Sequence, residues 1–142
     1  MSWSDRFQTP TSHDLTSALE PESAEIVSGL LGKLDEAGLA QPRIEWMGLP
    51  WRWTLVCQPA DEATAPVYVV CDPENPRVAT RVETPVLESL PAKKFQRPVR
   101  EALAVGRQVG SSLWVEWSLE SAACADDMVN LVEIRSSAKS DG

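Results

Sequence analysis

Histidine is nearly missing: one in 142 residues, alongside one tyrosine and two phenylalanines. Proton transfer near neutral pH draws on this side chain more than on any other. The single copy, His13, stands at the start of a short helical pattern, where an ordinary surface position accounts for it. Cysteine is scarce too: Cys57, Cys71 and Cys124 are odd in number and far apart, match no zinc-site spacing, and fall partly in apolar strand patterns. Buried free thiols in a reducing compartment are therefore expected. No apolar run approaches the roughly 20 residues needed to span a bilayer. The first ten residues carry neither an apolar core nor a small-residue cleavage pattern, so a cytoplasmic location is expected. A glycine-rich phosphate loop is also lacking, since the segment from Gly106 to Gly110 has neither a third glycine nor a strand before it. No cofactor and no bound metal are expected.

Positive charge is the remaining shortage. Thirteen Lys and Arg face 21 Asp and Glu, for a net charge of -8. Such a field repels phosphate backbones and anionic lipid, so neither nucleic acid nor membrane is an expected partner.

What the chain does have is tryptophan, and three of the six lie between Arg43 and Cys57. From Trp51 the alternation puts Trp51, Trp53, Leu55 and Cys57 on one side of an extended strand and Arg52, Thr54 and Gln58 on the other, with Val56 intruding among the latter. Pro42, Pro50, Pro59, Pro66, Pro73 and Pro76 fall between β-patterned runs, as expected of rings that would each delete a ladder donor. The predicted strands are 43–48, 51–58, 67–71, 77–83 and 112–119. Their short connections make a largely antiparallel sheet.

Helices are predicted at about 13–19, 21–37, 85–90, 98–105 and 121–135. The second is the best marked. Pro21 opens it, Val27, Leu30, Leu31 and Leu34 recur at three- and four-residue spacing, and Gly38 stops it. Each strand is apolar on one side, so helices should cover that side alone in a two-layer α+β sandwich. Residues 1–11 hold too little apolar surface to order alone and are expected to form a flexible arm able to dock. Residues 12–136 form one domain and 137–142 a disordered tail. Asp126 and Asp127 are adjacent, point about 100° apart on a helix, and are explained by the helix dipole before any metal.

Two surfaces carry functional expectations. Alternation places Arg52, Thr54, Tyr68, Arg81, Trp114 and Glu116 on the sheet face without helices, where flat aromatics beside arginines suit a protein partner or a small ligand. The plainer alternative packs Trp114 under the arm or a loop, with Arg52 stacked on it. The second surface is the basic interval Lys93, Lys94, Arg97, Arg100 and Arg107, opposed only by Glu101. A continuous helix would gather Lys93, Arg97, Arg100 and Arg107 on one face, but Pro98 interrupts it. A solvated face explains these charges, and a docking patch for an acidic partner, such as helix 22–36 of a second copy, is the alternative.

Trp51-Arg52-Trp53-Thr54-Leu55, Val67-Tyr68-Val69-Val70 followed by Asp72-Pro73, and Trp114 with the closing Leu131-Val132-Glu133-Ile134-Arg135 resemble a family of small bacterial α+β proteins of unknown function. That resemblance spans about 43 to 135 and implies a fold without catalytic residues to transfer. In size, acidity and mixed order of helix and strand the chain is also similar to small acidic secretion chaperones, which implies a homodimer around an extended client. The leading expectation is a non-enzymatic binding or interaction domain. The alternatives are the chaperone-like dimer and an enzyme whose carboxylates, such as Glu45 and Glu116, converge with Arg52.

Overall fold

The computed structural model describes residues 3–61 and 64–140. Two helices come first, α1 (Ser12–Ser17) and α2 (Pro21–Glu36), then strands β1 (Arg43–Trp46), β2 (Trp53–Cys57), β3 (Val67–Val70) and β4 (Arg77–Glu83). Helices α3 (Thr84–Ser89) and α4 (Arg97–Val105) follow, then β5 (Arg107–Val109), β6 (Ser112–Ser118) and the long α5 (Ala122–Ser140). The strands form one antiparallel sheet in the order β1-β2-β3-β4-β6-β5. The helices pack on one side of it, as the one-sided apolar patterning requires, and the architecture is the expected α+β sandwich with six strands instead of five.

The additional strand is β5. It comes from the segment assigned above to a connection, and a two-residue turn, Gly110 and Ser111, folds it back on β6 with Val109 opposite Ser112. Gly110 supplies the positive φ, +60°, that a two-residue hairpin turn demands at its first position. Three exposed residues in a row carry no alternation, which is why the apolar pattern does not announce this strand.

Sequence signals account for most helix starts. Thr11 and Asp14 form a reciprocal box at α1, each side chain accepting the other's backbone N–H at 3.0 Å. Those bonds hold the Asp14 carboxyl below its ordinary value. Proline opens α2, α3 and α4 in the first turn, where the missing N–H costs nothing.

The core lies between sheet and helices. Val27, Leu30 and Leu34 of α2 and Met128, Leu131 and Val132 of α5 close over Leu55, Val69, Val78, Val115 and Trp117. All three cysteines are buried free thiols. Burial pushes Cys57 up to about 11 and Cys71 up to about 12, so neither is a thiolate at neutral pH.

Trp3 of the N-terminal segment also belongs to this core, 6% exposed. Its indole N–H donates to the Trp51 carbonyl at 3.0 Å, and the Trp53 indole donates to the Asp5 carbonyl at 2.6 Å. At the other end α5 runs on to Ser140. The last two residues of the expected tail lie outside the described residues.

Asp126 and Asp127 differ from the helix-dipole expectation, because α5 begins at Ala122 and both sit beyond its first turn. They make tertiary bonds instead. Asp126 pairs with Lys33 of α2, and Asp127 accepts the backbone N–H of Gln96, just before α4, at 2.7 Å. Burial raises the Asp127 carboxyl above its ordinary value against the opposing pull of that N–H. A carboxyl that holds its proton more tightly when folded erodes stability as pH rises through its titration range. Asp127→Asn, which keeps an acceptor and removes the charge, is therefore expected to melt slightly above the parent at pH 7. The gap should close as the parent is acidified below the carboxylate range, and thermal melts across pH check both signs.

Candidate functional site

The site grows from the loop between β1 and β2. The expected strand 51–58 begins only at Trp53, because residues 47–52 fold into a compact turn: the Met47 N–H donates to the Arg52 carbonyl at 2.9 Å and the Arg52 N–H to the Gly48 carbonyl at 2.6 Å. Gly48 and Arg52 both have positive φ, +75° and +59°, the first at no cost and the second in a region side chains avoid. The turn breaks the odd-even count. Trp53 stays on the helix side, its ring edge-on to Trp46 at 5.5 Å, while Trp51 crosses to the other face.

On that face Trp51 meets the two aromatics placed there by alternation. The Trp51, Tyr68 and Trp114 rings lie 5.6 to 5.7 Å apart, centroid to centroid, with Trp51 and Trp114 stacked. These are favourable offset geometries. Ala79, opposite both Tyr68 and Glu116 in the sheet, is buried between strands that carry large side chains. The Trp51 indole N–H donates to Glu116 Oε1 at 3.0 Å, which fixes the ring's rotation. Arg77 in turn lies 4.0 Å from Glu116 and 3.7 Å from Asp72, and so holds the carboxylate from the far side.

Three of the expected residues, Tyr68, Trp114 and Glu116, are thus brought together. Arg81, exposed on β4, is the direct cross-strand neighbour of Trp114. Arg52 goes elsewhere, its guanidinium 4.8 Å above the Trp3 ring near the β3–β4 turn. Of the plainer alternative the loop half forms, since Trp51 of the 47–52 turn stacks on Trp114, while Arg52 stacks on Trp3 instead. Trp51 is the member that alternation missed; Arg77 joins by the same odd-numbered parity as Arg81 along β4. Gly48 and Pro50, two turn formers just before Trp51, are the signal that its strand parity could not be trusted.

The basic interval is spread over three elements. Lys93 and Lys94 sit on a single 3-10 turn, Arg97 and Arg100 on α4, and Arg107 on β5. Arg97 is paired with Glu101 one helical turn on, at 3.0 Å. Arg107 is the other cross-strand neighbour of Trp114, so that ring is flanked by Arg107 on one side and Arg81 on the other.

Glu45 and Glu116 do not converge with Arg52. They lie on β1 and β6, four strand spacings apart, about 19 Å at roughly 4.8 Å per strand. Glu45 is paired with Arg43 at 3.3 Å. Among the described residues no group of three or more His, Cys, Asp or Glu side chains could hold a metal ion, and no helix is long and apolar enough to cross a membrane. The arrangement offers flat, half-buried aromatic area with fixed rotamers and two exposed guanidinium groups beside it, a surface suited to stacking and to accepting carboxylates. Comparison with protein-family models, with curated proteins and with solved structures finds no match, so this surface is where the functional reading begins.

Proposed function

We propose that the protein is a non-enzymatic binding domain that meets a protein partner or small ligand on the helix-free face of its sheet. The observation that carries this reading is the triad of Trp51, Tyr68 and Trp114, locked ring to ring and left half-buried, with Ala102 and Val105 of α4 bordering the depression beside Trp114. A core would close over such rings. Large rigid aromatics with arginine beside them are what binding surfaces concentrate, because they contribute area at little cost in side-chain entropy. Tyr68, Trp114, Arg81 and Glu116, together with Trp51 and Arg107, form the contact surface, and Arg52 braces the loop that delivers Trp51.

Trp114→Ala is the test. Binding partners retained by the parent on a column are expected to be lost by the variant, while its near-UV circular dichroism stays native. A molten near-UV signal and a collapse in melting temperature would make Trp114 a folding residue and end this reading.

A second reading, the chaperone-like dimer, draws on the β5 margin. Val105 is 81% exposed and Val109 39%, beside a strand with an open edge. Light scattering on the purified protein separates the two, a dimer favouring the second and a monomer the first.

A further inference from the structure

Four contacts tie the segment from Trp3 to Asp5 to three consecutive residues, Trp51, Arg52 and Trp53, at the turn that carries the first ring of the triad. The Trp3 indole N–H donates to the Trp51 carbonyl at 3.0 Å, and the Arg52 guanidinium sits 4.8 Å above the same indole. The Trp53 backbone N–H donates to the Trp3 carbonyl at 3.4 Å, and the Trp53 indole to the Asp5 carbonyl at 2.6 Å. The backbone bond has a topological cause. β3 pairs with β2 only as far as Val70 opposite Thr54, so at Trp53 the ladder has run out and the Trp3 carbonyl stands in for it. A segment with too little apolar surface to order alone is thereby anchored by one buried tryptophan.

Trp51 lies outside β2, which begins at Trp53, and depends on the turn for its place. That turn is closed by the Met47–Arg52 and Arg52–Gly48 backbone bonds and holds Arg52 at φ +59°. A side chain stays in that region only where its surroundings over-determine it. The Trp3 ring under the guanidinium and the indole bond to the preceding carbonyl are two such constraints. Beyond Trp3 and Arg52 lies a cleft of about 340 Å³ shared with Asp72, Pro73 and Glu74, so the seat of the segment opens on one side instead of lying in the middle of the core.

We propose that residues 3–5 are a strap that assembles the aromatic face. Docked, the strap fixes the 47–52 turn and holds the Trp51 ring against Tyr68 and Trp114. Released, it frees the turn and takes Trp51 out of the triad. The inference rests on the reading of that face as the contact surface, and it names what regulates it. Strap and partner favour the same position of Trp51, so a partner that stacks on the triad also tightens the strap.

The test needs no partner. The Trp51 indole N–H donates to Glu116 Oε1 at 3.0 Å, and the Trp117 indole N–H to the Cys124 carbonyl at 3.1 Å within the core. Their two signals in the nuclear magnetic resonance spectrum, each assigned by replacement with Phe, therefore report the triad and the fold separately. In Trp3→Ala, exchange of the Trp51 indole hydrogen is expected to speed up by about tenfold or more, as the released state rises from the roughly 0.1–10% of a minor conformer towards a major one. The Trp117 indole should stay as in the parent. Trp3→Phe keeps the buried ring and removes only the donor to the Trp51 carbonyl, so it should show a smaller change of the same sign. It decides the matter if Trp3→Ala also exposes the Trp117 indole. An unchanged Trp51 signal in Trp3→Ala, or in Trp3→Phe where the alanine variant unfolds, overturns the strap. That result leaves the contact surface standing, because partner loss in Trp114→Ala is read separately. A triad that opens in Trp3→Ala while Trp114→Ala still retains its partner upholds the strap and ends the reading of the face.

Discussion

Thr80→Val is expected to destabilise the protein by about 1–3 kcal/mol, towards the upper end because the stranded donor is charged. Thr80 sits mid-strand in β4, fully buried, with its side chain on the helix side among Val78 and Val82. Its hydroxyl accepts from Arg135 Nη1 and donates to the Pro66 carbonyl at 3.0 Å, so it links α5 to β4 and to the chain entering β3. Valine has nearly the same shape and a better strand propensity, so neither packing nor backbone preference opposes the change. The loss therefore isolates the polar chain. In a domain of this size it amounts to a drop of roughly 3–12 °C, at about 3–4 °C per kcal/mol.

The double variant carries the sharper test. Arg135→Met alone removes a buried cation and leaves the Thr80 hydroxyl without its donor, and replacing both partners by apolar groups of similar shape is often neutral or stabilising. Thr80→Val combined with Arg135→Met is therefore expected to be more stable than Thr80→Val alone, a positive coupling between residues 55 positions apart in sequence. Additive losses in chemical denaturation would show that the hydroxyl and the guanidinium do not act as one unit.

Much of this architecture is legible in the residues, for reasons that can be named. The helix α2 is marked independently by Pro21, by the spacing of Val27, Leu30 and Leu34, and by Gly38, and the three signals agree. In β6 strict alternation sends Leu113, Val115 and Trp117 into the core and Trp114 and Glu116 to the other face, as burial along the strand records. Alternation fails where the backbone leaves the extended region. At Trp51 the turn through Gly48 and Arg52 moves the ring to the face opposite Trp53, so the third member of the triad is invisible to an odd-even count. Arg135 is missed for a different reason. A basic residue near the end of a helix looks like a solvated charge or a dipole partner, and only the path of β4 beneath it decides that it is buried. Arg107 escaped the aromatic face because a three-residue exposed edge strand leaves no periodic trace.

Glycine gives the remaining large effect, and its sign is the informative quantity. Gly106 links α4 to β5 with φ −57° and ψ 152°, angles that alanine adopts freely. On backbone grounds alone Gly106→Ala should stabilise by about 0.4–1 kcal/mol through the unfolded chain. Space forbids it. A Cβ there would lie 2.8 Å from the Trp114 carbonyl oxygen and 2.8 Å from Leu113 Cγ, and the oxygen belongs to a ladder strand that cannot swing aside. The overlap is expected to cost about 1–3 kcal/mol and to push β6 or the end of α4 outward. Gly32 is the control, since it lies within α2 with nothing within 4 Å of its added Cβ, and Gly32→Ala should stabilise by roughly 0.5–1 kcal/mol. Opposite signs in urea denaturation are the expected result, and two stabilised variants would mean that α4 does not close on β6 as described. Because Gly106 presses on the backbone of Trp114 itself, its variant should also shift tryptophan fluorescence, which Gly32→Ala should leave unmoved. The same close approach that ties α4 to the sheet thus sets where the stacked indole of Trp114 is held.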